Sequence, residues 1–142
     1  MKKIDTSDFN RLLGIWKTSG QISKDNQTLI LSGTDSYELI LDGKYILHKA
    51  DVIMGSERSE TFEIISLTDT ENRAEMQYFN STGESGIMTS EITDNDFRIN
   101  GEGIKFCGTI NDKNSEIIGK WLLQTTDKNW KEFIDLKLEK QN

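Results

Sequence analysis

"LLGIWKTSGQISKDNQTLILSG", residues 12–33, changes its hydrophobic period at its third residue. Upstream, Ser7 and Asp8 precede Phe9, Leu12 and Leu13, and Gly14 follows, the order of an N-cap, one or two helical turns and a glycine stop. From Ile15 the period is two. Trp16, Thr18, Gly20 and Ile22 alternate against Ile15, Lys17, Ser19 and Gln21, as side chains do on the opposite faces of a strand. "SKDNQ" then breaks the run with turn residues, and Leu29 and Leu31 resume it.

The alternation continues to the end of the chain. Leu29, Leu31, Gly33, Tyr37, Leu39 and Leu41 share one phase over a segment longer than an ordinary strand, which predicts a bend or bulge at Gly33. Asp42-Gly43 in "LDGK" is a hairpin signal, because a type I′ turn needs positive φ at both central residues. The return strand puts Ile46, His48, Ala50, Val52 and Met54 on one face before "GSER" turns it. Further apolar pairs follow at the same spacing: Phe62 and Ile64, Met76 and Tyr78, Met88 and Ile92, Phe97 and Ile99, Ile104 and Phe106, Ile117 and Trp121, Leu136 and Leu138. About ten strands joined by short turns leave no room for parallel crossovers, which need about a dozen residues each.

The fold these features predict is all-β: one domain over residues 1–142, an antiparallel up-and-down barrel with a short N-terminal helix as a plug. Closure removes the two exposed edges that a flat meander would leave. Ten strands make a barrel wider than the eight-stranded kind, so an internal cavity is expected. A two-sheet sandwich is the alternative that the same alternation could build.

Composition agrees with a hollow body. Hydrophobic residues are only 35% of the chain and proline is absent, which is thin for a solid core and sufficient for a walled cavity. The net charge of −7, with basic residues scattered among acidic ones, repels phosphate backbones and excludes nucleic acid as a partner. "MKKIDTSDFN" lacks the apolar stretch of a secretion signal, and no later run approaches the roughly 18 apolar residues of a membrane span, so no membrane partner and a cytoplasmic address are expected. Cys107, the single cysteine, fits a reducing compartment, and the sequons at Asn26 and Asn80 are then chance matches.

Few residues could carry chemistry. His48, the sole histidine, shares the inward face of its strand, where it could orient a ligand or simply be satisfied by its neighbours. Glu60 is in phase with Phe62 and Ile64, and Glu132 with Trp130 and Ile134, so both carboxylates are expected inside as a candidate acid and base, or as polar lining. Tyr37, Met54, Met76, Tyr78 and Phe106 form a soft apolar lining. "GESGI" lacks the second glycine of a nucleophile elbow, and Arg98 and Ile99 spoil the calcium loop begun at Asp94 and Asp96. No cysteine pair, histidine pair or phosphate-cradling loop is present, so neither metal nor cofactor is expected, and Cys107 is expected to face outward.

A short helix, Gly14-x-Trp16 opening the first strand, and a meander without an internal helix together resemble the calycin-like barrels. The likeness is greatest to bacterial lipocalin-like domain families of uncharacterised function, with nitrobindin more distant. "LLGIWKTSG", "LDGKYILHKADV", "YFNSTGESG" and "DKNWKEFIDLKLEK" stand where those families place the first strand, second hairpin, mid-barrel turn and last strand. The resemblance implies that Gly14 and Trp16 close one end, with the indole against a basic residue of the last strand, Lys137 or Lys140. A fatty-acid-binding barrel would need a helix-turn-helix for which the gap from Ile22 to Leu29 has no room, and haem binding of the nitrobindin type would need a histidine after His48.

The function expected is the binding of a small, mostly apolar molecule, without cofactor or catalysis, in a pocket of Tyr37, His48, Met54, Met76, Tyr78, Phe106 and Glu132. Two alternatives stand beside it. One is an enzyme using His48 with Glu60 or Glu132; the other is a filled barrel whose surface recognises a partner chain. A homodimer is compatible with each.

Overall fold

A computed structural model describes residues 2–70 and 72–141. Its ten strands are β1 (Gly14–Lys24), β2 (Gln27–Ile40), β3 (Tyr45–Met54), β4 (Glu57–Leu67), β5 (Arg73–Asn80), β6 (Ser85–Thr93), β7 (Asp96–Asn100), β8 (Ile104–Ile110), β9 (Glu116–Gln124) and β10 (Trp130–Gln141). Each pairs antiparallel with the next, and β1 pairs with β10 from Ile15 opposite Gln141 to Ile22 opposite Ile134. The sheet is therefore a closed barrel and not a sandwich. Closure pairs the first and last strands, so neither is left as a free edge.

The N-terminal segment forms two 3-10 turns, Ile4–Thr6 and Asp8–Leu12, where an ordinary helix was expected. Ser7 caps the second as expected, its Oγ accepting from the Phe9 N–H at 3.2 Å. With only five residues before the backbone turns extended at Leu13, the tighter helix is the one that fits.

Three local expectations are corrected. β2 runs 14 residues with no shift of register at Gly33; glycine is required there because a Cβ would lie 2.1 Å from the Asp51 carbonyl oxygen. The loop around Asp42-Gly43 spans residues 41–44 and not two, with positive φ at Leu41, Asp42 and Gly43. A two-residue turn sits instead at Asp25 and Asn26, both with positive φ, between the paired Lys24 and Gln27. The third is the face of β4: Glu63 and Ile65 point inward, while Phe62 is 49% exposed. Phe62 pairs across the outer wall with Phe79, and the Lys49 ammonium lies 5.5 Å from its ring centroid, so an apolar residue on the outside mimicked an inward phase.

A bulge re-aims β10. Leu122 is opposite Glu132 and Trp121 opposite Ile134, so Phe133 is an extra residue and the face changes across it. Ile134, Leu136 and Leu138 face inward after the bulge; Glu132 faces outward before it, with its carboxylate 2.8 Å from the Lys120 Nζ.

The plugged end is the solid part of the molecule. Ile4, Phe9, Leu12, Trp16, Ile46, Ile65, Met76 and Ile92 are fully buried there. The Trp16 indole donates to the Leu12 carbonyl at 2.8 Å, tying plug to barrel. Lys140, not Lys137, is the basic residue against it: its ammonium lies 4.8 Å from the Trp16 ring centroid and donates to the Arg11 carbonyl at 3.2 Å. Burial pulls the Lys140 ammonium below its usual pKa, while Lys137 faces Glu116 on the outer wall. The Arg11 guanidinium in turn reaches the Asp94 carbonyl and the Asn95 and Asn114 side chains, clamping the plug to two closed-end loops.

Candidate functional site

Away from the plug the barrel encloses a cavity of about 540 Å³. Strand register builds its polar wall. Tyr37, His48, Glu63 and Tyr78 lie directly opposite one another in a row across β2, β3, β4 and β5. Asp35, two residues from Tyr37 on the same face of β2, completes the group from one side, and Thr18 of β1 lies beyond it.

His48 holds a carboxylate at each ring nitrogen. Nδ1 is 2.5 Å from Glu63 Oε1 and Nε2 is 2.6 Å from Asp35 Oδ1, and all three side chains are nearly fully buried. The Thr18 hydroxyl donates to the other Asp35 oxygen. Burial by itself would push the imidazole pKa down, but the hydrogen bonds to Asp35 and Glu63, with their charges, outweigh it and raise it to about 10. At neutral pH the ring is an imidazolium donating both N–H groups. Tyr37 stacks on it with centroids 4.0 Å apart and planes 4° from parallel, placing a π face over the cation. Desolvation, then the Asp35 and Glu63 charges, hold the Tyr37 hydroxyl well above its ordinary pKa, so it stays a neutral phenol.

One acceptor is left over. Among the described residues, Glu63 Oε2 has no hydrogen-bond partner, and Glu63 lines the cavity. The rest of the wall is mainly apolar. Phe106 meets Phe97 edge-on at 5.5 Å and Trp121 at 5.3 Å, while Ile22, Leu31 and Met54 line the part furthest from the plug. Phe106 can lie flat there because Gly108 and Gly119 are paired beneath it; a Cβ on Gly119 would come within 2.4 Å of its ring.

Tyr37, His48, Met54, Tyr78 and Phe106 thus meet in one cavity. Met76 does not join them: one pair nearer the plug than Tyr78, it is packed into the closed-end core. Glu132 is excluded by the bulge at Phe133, and Glu60 by the face of β4, where its carboxylate lies 3.4 Å from Arg58 on the outside. Neither can pair with His48. Asp35 and Glu63 take that place, and both escaped the sequence reading although signals existed. Asp35 lies in phase with Leu31, Gly33 and Tyr37, and counting back from a two-residue turn at Gly55-Ser56 sets Glu63 opposite His48.

Both His48 nitrogens are committed to carboxylates, so neither has a lone pair for a metal or haem iron. Among the described residues no cluster of His, Cys, Asp and Glu is arranged to hold a metal ion, and no helix is long and apolar enough to cross a membrane. Cys107 faces outward, lining a shallow depression of the outer wall with Lys120 and Asp135.

No family model matches the chain, and no curated protein matches it by sequence. Solved structures do match. The crystal structure of Rv2717c from M. tuberculosis superposes with a TM-score of 0.72 at 9% sequence identity, covering 94% of this chain and 95% of that one. At that identity the likeness is one of fold: this chain is a ten-stranded antiparallel closed barrel similar to Rv2717c.

Proposed function

We propose that the barrel binds a small, mostly apolar molecule in the cavity beside His48 and does not convert it chemically. The observation that carries this is a cavity of about 540 Å³, walled mainly by apolar side chains, with the buried Asp35, His48 and Glu63 cluster in its polar wall. That size lies inside the usual range of small-molecule sites, and burial of ligand surface at about 25 cal/mol per Å² supplies the driving force. Tyr37, His48, Glu63 and Tyr78 would fix the ligand's orientation, with Met54 and Phe106 as adaptable wall. Catalysis by His48 is disfavoured because a general base needs a free ring nitrogen, and here both are donating. The plug, with Gly14 and Trp16 against Lys140, supports a calycin-like relationship. A cytoplasmic address rests on the single unpaired Cys107.

Native mass spectrometry of protein purified from its own host should show a co-purifying small molecule. Independently, the neutral fluorophore N-phenyl-1-naphthylamine should bind saturably at one site, and Ala50→Trp, which fills the cavity from β3, should abolish that signal. A flat titration with the folded wild-type protein would rule the proposal out.

A further inference from the structure

We infer that the ligand carries a positively charged, hydrogen-bond-donating head, an ammonium on an apolar body, seated against Glu63 Oε2; this rests on the binding function proposed above. A proton count leads to it. Each His48 ring nitrogen lies within hydrogen-bond distance of a carboxylate oxygen, so each of the two bridges holds one proton. Two protons shared among an imidazole ring and two carboxyl groups leave one net negative charge, wherever along the bridges they sit.

Nothing in the wall cancels that charge. Among the described residues, the side chains lining the cavity include no lysine or arginine; Thr18 satisfies an Asp35 oxygen without neutralising it, and Tyr37 is an uncharged phenol. The chain as a whole carries −7, so the surroundings deepen the negative potential. A buried unmatched charge is costly and is relieved by a counter-charge or a proton. The place for that relief is set by Glu63 Oε2, the one carboxylate oxygen of the cluster without a hydrogen-bond partner among the described residues, on a residue that is 5% exposed.

An ammonium group meets each demand. Its N–H donates to Oε2, and its charge balances the cluster. A hydroxyl would meet only the hydrogen bond. A carboxylate would meet neither, since it brings no donor to Oε2 and adds to the local negative charge.

The test compares three ligands with the same eight-carbon tail, octylamine, octanol and octanoate, displacing N-phenyl-1-naphthylamine from the wild-type protein at pH 7. Octylamine should bind at least ten-fold more tightly than octanol, and octanoate most weakly. In E63Q the amine-to-alcohol affinity ratio should fall toward one. D35N, which removes the other carboxylate charge, should lower the same ratio and serves if E63Q does not fold by circular dichroism. Octanol or octanoate equalling the amine, or an amine preference unchanged in both variants, would overturn the inference while leaving the cavity's binding role intact. Failure of the fluorophore and all three ligands to bind would overturn both.

Discussion

Ile46 and His48 stand two positions apart on β3, and the barrel changes character between them. On the Ile46 side, Phe9, Leu12, Trp16, Ile65 and Ile92 are packed without exposure, and the Trp16 N–H is answered by a backbone carbonyl. On the His48 side, three ionisable side chains share the interior with a cavity. Close-packed apolar contact is the larger source of stability, whereas a buried ion cluster is roughly neutral to unfavourable against apolar residues of the same volume. The plugged end can therefore hold the fold while the cavity end keeps side chains chosen for something other than stability.

That contrast breaks most sharply at Trp16. Trp16→Ala should cost about 3–5 kcal/mol, because the indole is fully buried and its removal leaves a cavity between plug and Lys140. Urea denaturation measures it, and a midpoint unchanged from wild type would show that the plug is not where stability resides. The next effect tests the cavity end by pH. The His48 pKa rises from 6.5 in the unfolded chain to about 10 in the folded one, so its contribution is whole below pH 6.5, shrinks as pH rises, and is gone above about 10. Between those values wild-type stability should fall with rising pH relative to His48→Gln, on the order of 1 kcal/mol per pH unit, measured by denaturation at several pH values. Parallel profiles for the two proteins would mean that the ring is not an imidazolium at neutral pH. The smallest effect belongs to Glu132→Gln. Its carboxylate meets Lys120 on the exposed wall, so neither the unfolding midpoint nor fluorophore binding should change measurably. A weakened fluorophore signal would return Glu132 to the cavity.

How much of this was legible varies along the strands. β3 shows its true phase, Ile46 to Met54, because that face is apolar apart from His48 while Lys49 and Asp51 stand on the other. β4 suggests a phase one residue off, since Phe62 and Ile64 look like a core pair and Glu63 looks like surface. Its true face depends on the β3–β4 register, a relation between strands and not a property of either. β10 misled differently: its alternation is regular until one inserted residue, Phe133, reverses the face, and nothing in "WKEFIDL" marks the insertion.

From its residues alone the chain specified strands, turns and their antiparallel order, because period-two alternation and turn chemistry are local properties, while the closing role of Trp16 is what the Gly14-x-Trp16 resemblance implies. The grouping of Asp35, His48 and Glu63 was decided by closure and register. Those three belong to different strands, and a shift of one pair in either ladder would turn a carboxylate from the cavity to the solvent. The charge left on that cluster, and with it the kind of ligand the barrel selects, exists only once the strands are in place.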